Sequence, residues 1–171
     1  HLPTDRSGFY TYIKDKNHVW CPTNEPVRDK PDKWTSTHGM GYTRFEAEKD
    51  GISAVVTYFV GEFENALIWN MKLKSDTDKK ITIFPYVELG MMEFMRELQW
   101  QCYNKHQLTC YNTDDVLVYK YGVEDQPKPD ETPLVYFASD APVTAFDCDR
   151  DEFVGSYRSE ENPKNVENGK C

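Results

Sequence analysis

Long hydrophobic runs and an excess of cations are both missing from this sequence. No apolar stretch approaches the roughly 20 residues that a bilayer-spanning helix needs, and no charged and then apolar leader opens the chain. The 171 residues carry a net charge of -9, from 29 acidic against 20 basic side chains. Such a composition has no surplus of cations for phosphate backbones. We therefore expect neither a membrane nor a nucleic acid as a partner.

Cysteine frameworks and metal-binding spacings are missing too. The five cysteines form no CxxC pair and no regular pattern, and an odd number of cysteines is typical of free thiols in a reducing compartment. The four histidines show no HxH or HExxH spacing. We predict a cytoplasmic protein with free thiols, without a metal site and without a cofactor.

Nucleotide-binding and nucleophile motifs are scarce. Gly39 and Gly41, in THGMGYT, precede a strand pattern and do not open a helix, so they indicate a turn with close backbone approach more than a phosphate loop. No serine or cysteine lies in a nucleophile elbow or a papain-like signature. Glu88, in FPYVELG, is the best single carboxyl for acid chemistry. Its alternative role is that of a strand residue paired with Arg or Lys.

Aromatic and alternating segments are what the sequence has in abundance. Phe, Tyr and Trp make up 14% of the residues, and most lie in short period-2 or β-branched runs that favour strands. Asp50-Gly51 is the strongest hairpin signal, and Pro85 indicates a bulge or an edge strand. The predicted strands lie at 8–15, 19–23, 42–49, 52–60, 66–75, 81–90, 108–112, 116–124 and 134–140, with one or two helical turns within 91–107. This pattern predicts a mainly antiparallel, all-β sandwich.

Four aromatic or planar side chains are candidates for sugar binding, because sugars are held by aromatic faces and by planar polar groups. Trp20, Trp34 and Trp100 are the tryptophan candidates, with core packing as the alternative for each. Trp34 is the hardest to explain as core, since it lies in the polar stretch RDKPDKWTST, whereas Trp69 on an alternating strand is assigned to the core. His38 either contacts a ligand or is a hydrogen-bonded structural histidine.

Both ends of the chain favour a segment of a longer protein. Residue 1 is not Met, and residues 147–171 are rich in charge, Asn, Gly and Pro with few hydrophobic residues. We expect a sandwich domain at 1–146 and, at 147–171, a segment that leads towards another domain.

The order of several motifs resembles the N-terminal sandwich of glycoside hydrolase family 94, the inverting phosphorylases of cellobiose, cellodextrins and chitobiose. The motifs are LPTDRSGFYTYIKD, VWCPTNEPV, THGMGYTRF, YVEL, YNTDD and, most specific, DCDRDEFVGSYRSEENPKNVENGKC. Thr37 departs from the family, which commonly has Arg before the His-Gly turn. The helical insert near 91–102 departs from the cellobiose-enzyme pattern, and the first strands of the family's sandwich are missing upstream of His1.

The resemblance implies a supersandwich fold similar to galactose mutarotase, in an enzyme that phosphorolyses β-linked gluco-disaccharides or oligosaccharides with inversion. Inorganic phosphate would be the co-substrate, and an aspartic acid in a separate C-terminal (α/α)6 catalytic domain would protonate the leaving sugar. This segment would hold no catalytic residue. It would serve as a scaffold, contact a homodimer partner, and supply loops at 14–20, 28–38 and 91–106 to a sugar site. The alternatives are a stand-alone carbohydrate-binding module and a protein-interaction sandwich.

Overall fold

The computed structural model describes residues 8–89, 108–121 and 134–171. Three predictions therefore lie outside the described residues: the helical insert near 91–102, the loop at 91–106 and the site residue Trp100. The strands are β1 (Phe9–Asp15), β2 (His18–Trp20), β3 (Lys33–Gly39), β4 (Tyr42–Lys49), β5 (Ile52–Val60), β6 (Leu67–Ser75), β7 (Ile81–Val87), β8 (Leu108–Thr113), β9 (Val116–Tyr121) and β10 (Leu134–Phe137); the helices are α1 (Arg150–Val154) and α2 (Lys164–Asn168). The predicted all-β, antiparallel class is confirmed.

The described residues form two compact units. The sandwich unit consists of Gly8–Val87 and Asp151–Lys170, and the meander unit consists of the described residues between Glu88 and Arg150 together with Cys171. The sandwich unit contains a four-stranded sheet in the order β3-β4-β5-β6 and a three-stranded sheet in the order β2-β1-β7. The meander unit contains the sheet β10-β9-β8.

Local sequence signals account for most of the strand pairs in the sandwich unit. Lys49 pairs with Ile52 across the predicted hairpin, where Asp50 and Gly51 both have positive φ, at 50° and 75°. Such angles match a type I′ turn, which suits the twist of the two strands it joins. Pro85 lies in β7, and β7 is an edge strand among the described residues. The hairpin and the edge position are both confirmed.

Strand β3 was not predicted, because its sequence KWTSTHG lacks apolar alternation. It forms by pairing along its whole length with β4, from Lys33 opposite Glu48 to Gly39 opposite Tyr42. Tertiary pairing thus supplies what the local propensity of these polar residues does not.

The core between the two sheets is built from alternating positions. Ile13 of β1 and Trp20 of β2 pack against Ala47, Ile52 and Ala54 of the four-stranded sheet, and all five are buried. Because successive strand residues point to opposite faces, the intervening residues of β1 point away from this core. They therefore need a second partner.

The second partner is the C-terminal part of the chain. Phe153, Val154 and Val166 are buried against Tyr12 and Phe84 on the outer face of the three-stranded sheet. The Tyr12 hydroxyl donates a hydrogen bond of 2.9 Å to the carbonyl of Glu160, which lies 148 residues further along the chain. The predicted exit segment thus packs as a third layer from Asp151 to Lys170, and its continuation towards another domain stays a prediction.

The meander unit contains the predicted carboxyl candidate, Glu88. Arg150 Nε lies 3.2 Å from Glu88 Oε1, and both side chains are largely buried. The predicted pairing with an arginine is therefore present, but Glu88 lies one residue beyond β7 and is not a strand residue.

Candidate functional site

An open groove crosses one end of the sandwich unit, and we call it the aromatic groove. Its volume is about 660 Å³. The residues that line it are Phe9, Tyr10, Thr23, Glu25, Gly39, Gly41, Tyr42, Thr43, Phe45, Tyr58, Phe59, Val60 and Leu67. Six of these lining residues are aromatic, so the groove offers several ring faces to a ligand.

The ends of four strands place the walls of the groove. Gly39 and Tyr42 close the β3–β4 hairpin, and Tyr42 lies directly opposite Phe59 of β5. Val60, the last residue of β5, pairs with Leu67, the first residue of β6. Gly39 is needed here because a Cβ atom on it would lie 2.1 Å from the Tyr42 ring. The ring therefore rests directly on the backbone of the turn, which matches the close approach predicted for THGMGYT.

Packed rings form the floor of the groove. The Phe9 ring lies 4.9 Å from that of Tyr58 and 5.1 Å from that of Trp69, and Phe45 meets Tyr58 edge-on at 6.1 Å. Tilted and edge-on pairs at these distances are the favourable arrangement for aromatic rings. Because each ring is held by others, little side-chain freedom is lost when a ligand packs against them.

Tyr58 has a buried hydroxyl without a hydrogen-bond partner among the described residues. Burial raises the pKa of this phenol, and an interaction with the Thr11 side chain offsets part of the rise. A neutral phenol that still has a proton to donate remains below the groove.

Besides the hydroxyls of its three tyrosines, the polar side chains of the groove are Thr23, Glu25 and Thr43. The Thr43 hydroxyl lies 3.1 Å from His38 Nδ1, and His38 Nε2 lies 3.0 Å from the Ser36 hydroxyl. The lining therefore contains one carboxylate, Glu25, and hydroxyl groups, but no histidine, cysteine or lysine. This set can bind polar groups, but it does not pair a nucleophile with a base.

The sequence-predicted site residues are only partly brought together. Trp34 is 47% exposed, and its Nε1 donates a hydrogen bond of 2.9 Å to the carbonyl of Pro22. The Phe45 ring lies between it and His38, at 6.1 Å from Trp34 and 6.4 Å from His38. His38 thus has the structural hydrogen bonds that were its alternative, while it orients a groove hydroxyl. Neither Trp34 nor His38 lines the groove itself.

Trp20 lies in the core, where only 1% of it is exposed. Its burial favours the core role that the sequence left open, since no ring face is accessible to a sugar. The predicted sugar contacts of Trp34, His38 and Trp100 stay predictions.

Sequence reasoning identified none of the lining side chains as site residues, and the missed ones include Phe9, Glu25, Tyr42 and Phe59. They come from the ends of different strands and from a loop, so no spacing along the chain connects them. The only local signal was Tyr42, which belongs to the THGMGYT motif.

The opposite end of the sandwich unit carries a cluster of charges. His18 lies between two carboxylates: its Nδ1 is 2.6 Å from Asp50 Oδ2, and its Nε2 contacts Asp29. Lys49 Nζ also bonds Asp29, at 2.9 Å, and Lys79 Nζ bonds Asp15 at 2.7 Å. These contacts tie the β1–β2 and β4–β5 turns to the neighbouring loops, so the cluster has a structural role.

Metal sites and membrane helices are absent from the described parts of the chain. No group of three or more His, Cys, Asp or Glu side chains in them is arranged to hold a metal ion. Their helices are all too short or too polar to cross a bilayer.

The fold and the groove define an antiparallel β-sandwich protein with an open aromatic site. Its sequence matches the glycosyl hydrolase 94 supersandwich domain over residues 1–171. The chain therefore belongs to glycoside hydrolase family 94, as the motifs predicted.

Three relatives are similar to nearly all of the chain. N,N'-diacetylchitobiose phosphorylase of Vibrio proteolyticus is 31% identical over 98% of this chain and 21% of the relative. Solabiose phosphorylase of Paenibacillus borealis is 27% identical over 95% of this chain and 21% of the relative. Cellobionic acid phosphorylase of Neurospora crassa is 24% identical over 86% of this chain and 19% of the relative. The chain spans about a fifth of the length of these curated relatives.

Proposed function

We propose that this chain is the sandwich part of an inverting phosphorylase that acts on a β-linked gluco-disaccharide or oligosaccharide. The observation that carries the proposal is the family match over all 171 residues. It is supported by relatives that are each named as a phosphorylase of a sugar or sugar acid. The chain's own role is that of a scaffold, which presents surfaces to other parts of the enzyme.

The proposed reaction needs one protein carboxyl group and no organic cofactor. Inorganic phosphate attacks the anomeric carbon, and an aspartic acid gives its proton to the oxygen of the leaving sugar. In a hydrolase with inversion, a second carboxylate must activate water, but here the phosphate dianion is itself the nucleophile. We assign the reacting acid to a C-terminal catalytic domain outside this chain.

The composition of the groove supports this division of work. Glu25, its carboxylate, is in contact with the Arg28 guanidinium at 3.3 Å. The described part of the groove lining has no second carboxylate and no histidine beside it that could act as a general acid. The described groove therefore suits binding and does not suit proton transfer to a leaving group.

The proposal also includes a homodimer partner, a sugar site and a cytoplasmic location. We propose a homodimer in which the segments at 14–20, 28–38 and 91–106 reach a sugar site, although the first two are not entirely loops, since they contain β2 and most of β3. Cys21, Cys110, Cys148 and Cys171 are free thiols, which supports a cytoplasmic location, because reducing compartments keep thiols free.

The test is phosphorolysis by the full-length enzyme. It is incubated with phosphate and, in separate reactions, with cellobiose, cellodextrins, N,N'-diacetylchitobiose and solabiose. We expect one of these to yield a sugar 1-phosphate, with inversion at the anomeric carbon seen by proton NMR. Retention of configuration, or hydrolysis without any sugar phosphate, would contradict the proposal.

The aromatic groove also favours a second candidate function, a carbohydrate-binding module without catalysis. In that case the full-length protein binds oligosaccharides in calorimetry and forms no sugar phosphate. The two measurements together separate a phosphorylase from a module.

A further inference from the structure

We propose that the aromatic groove binds the pyranose rings of a neutral, β-linked oligosaccharide. This inference rests on the proposed function and adds to it a place on this chain, with named side chains, where a sugar is held. The volume of the aromatic groove, about 660 Å³, is within the roughly 300–1,000 Å³ that is usual for small-molecule sites.

The groove presents three exposed aromatic rings to solvent. Phe9, Tyr42 and Phe59 are each between 37% and 41% exposed, although each is fixed by packing or by strand pairing. A pyranose ring has an apolar face of C–H groups, and an aromatic ring covers such a face with little loss of side-chain entropy. Rings that are both accessible and rigid are therefore suited to stacking on sugars.

Two polar residues of the groove can form hydrogen bonds with sugar hydroxyls. Thr43 is oriented by His38 at 3.1 Å, so its hydroxyl keeps either a proton or a lone pair for a ligand. Glu25 is held by Arg28 at 3.3 Å and presents acceptor oxygens. A sugar hydroxyl can donate to one group and accept from the other.

The same groups argue against other occupants. A purely apolar ligand would remove the Glu25 carboxylate from water without giving it a donor, which is costly. An anionic ligand would meet that carboxylate on a chain of net charge -9. A neutral sugar has both the apolar face and the hydroxyl donors, so it matches the groove better than either.

The experiment uses the full-length enzyme without phosphate, and neutral cello- and chito-oligosaccharides of two to six units. Binding is measured by calorimetry for the wild type and for Tyr42→Ala, Thr43→Val and the matched control Tyr157→Ala. Tyr157 is fully exposed and does not line the groove. We expect about tenfold weaker binding at one site for Tyr42→Ala, the loss of one stacking contact. We also expect weaker binding for Thr43→Val and wild-type binding for Tyr157→Ala.

A footprinting measurement on the wild type makes the test independent of folding defects in the variants. Hydroxyl-radical oxidation of Tyr42 and Phe59 is compared with and without a saturating oligosaccharide. We expect protection of both residues by the sugar, and unchanged oxidation of Tyr157.

Two results would overturn the inference. In one, Tyr42 and Phe59 resist oxidation before any sugar is added, which would show that another part of the protein covers the groove. In the other, both residues are oxidised equally with and without sugar, and all variants bind like the wild type. If the wild type still forms a sugar 1-phosphate, either result rejects the groove as a sugar site and leaves the proposed function intact.

Discussion

At the scale of single residues, two glycines with left-handed backbone differ in what surrounds them. Gly51 (φ 75°) lies in the β4–β5 turn with open space around it. Gly155 (φ 90°) follows α1, and a Cβ atom on it would lie 2.9 Å from Cβ of Lys164. The first site is constrained by backbone conformation alone, and the second by conformation and crowding together.

Substitution by alanine should separate the two effects. We expect Gly51→Ala to lower the free energy of unfolding by about 1 kcal/mol through backbone strain. Gly155→Ala should lower it by about 3 kcal/mol, because α1 and α2 must also move apart. Urea unfolding of both variants measures the difference. Equal losses would show that the contact with Lys164 has no energetic role.

Cys148 is a second residue whose behaviour depends on its surroundings. The pKa of Cys148 is raised to about 12, mainly by partial burial of its thiol and secondly by a hydrogen bond with the Cys110 thiol. Since the thiolate is the reactive form, the exposed position of Cys148 does not make it reactive. An ordinary thiol has a pKa near 8.5.

Alkylation rates test this assignment. At pH 8 we expect Cys148 to react with iodoacetamide at least about a hundredfold more slowly than glutathione does, because its thiolate fraction is smaller. Its rate should rise about tenfold per pH unit up to pH 10, where an ordinary thiol has levelled off. Peptide mass mapping gives the rate for this cysteine. A plateau near pH 9 would contradict the raised pKa.

At the scale of elements, the third layer is held by few side chains. The Phe153 ring of α1 stacks on Tyr86 at 5.1 Å and meets Tyr12 at 6.3 Å. An α-helix of five residues has little stability of its own, so α1 depends on this packing.

Phe153→Ala should therefore destabilise the chain strongly. We expect a loss of about 3–5 kcal/mol, typical of a buried aromatic side chain cut back to alanine. Phe63 is the matched control, because it is 89% exposed and Phe63→Ala should change stability by about 0.5 kcal/mol or less. Urea midpoints measure both. Equal midpoints for the two variants would mean that the third layer contributes nothing to the sandwich.

The ion pair between Asp15 of β1 and Lys79, before β7, predicts a pH dependence. The hydrogen bond from Lys79, at 2.7 Å, lowers the pKa of Asp15. A carboxyl whose pKa is lower in the folded state stabilises the fold above its unfolded pKa, near 3.9. That stability is lost as the pH falls further through the folded value.

Unfolding from pH 6 to pH 2 in the wild type and in Asp15→Asn tests the pair. We expect the wild type to lose its advantage over the variant below about pH 4, with the difference constant above it. Lys79→Met should abolish the same step. A difference that stays constant down to pH 2 would show that the pair has no effect on the pKa of Asp15.

At the scale of the whole molecule, the predicted sugar-site loops are tested by enzyme kinetics. Trp34 is exposed on β3 and anchored at Pro22, and Trp100 belongs to the loop predicted from the sequence at 91–106. In the full-length enzyme, we expect Trp34→Ala and Trp100→Ala to raise the KM for the acceptor sugar in the synthetic direction. Phe63→Ala is the control and should keep wild-type kinetics. Unchanged KM values for both tryptophan variants would remove these loops from the sugar site.

The sequence by itself determined the class of the fold and the family. The alternation of β6 predicted which of its faces is less exposed, because the period of two is a property of any strand: Trp69, Met71 and Leu73 are half-buried rather than fully in the core, and Leu67 is exposed. Asp50-Gly51 specified a hairpin through backbone angles that few residue pairs adopt. The motif at 147–171 identified the family without any coordinates.

Only the tertiary structure decided which residues share a site. Tyr12 and Glu160 meet across 148 residues, and the groove joins the ends of five strands with a loop that holds Glu25. Polar β3 formed because β4 offered it a partner. Local patterns report which face of a strand is buried, but side chains from distant segments come together only when the sheets pack, so neither the groove nor the third layer was visible in the sequence.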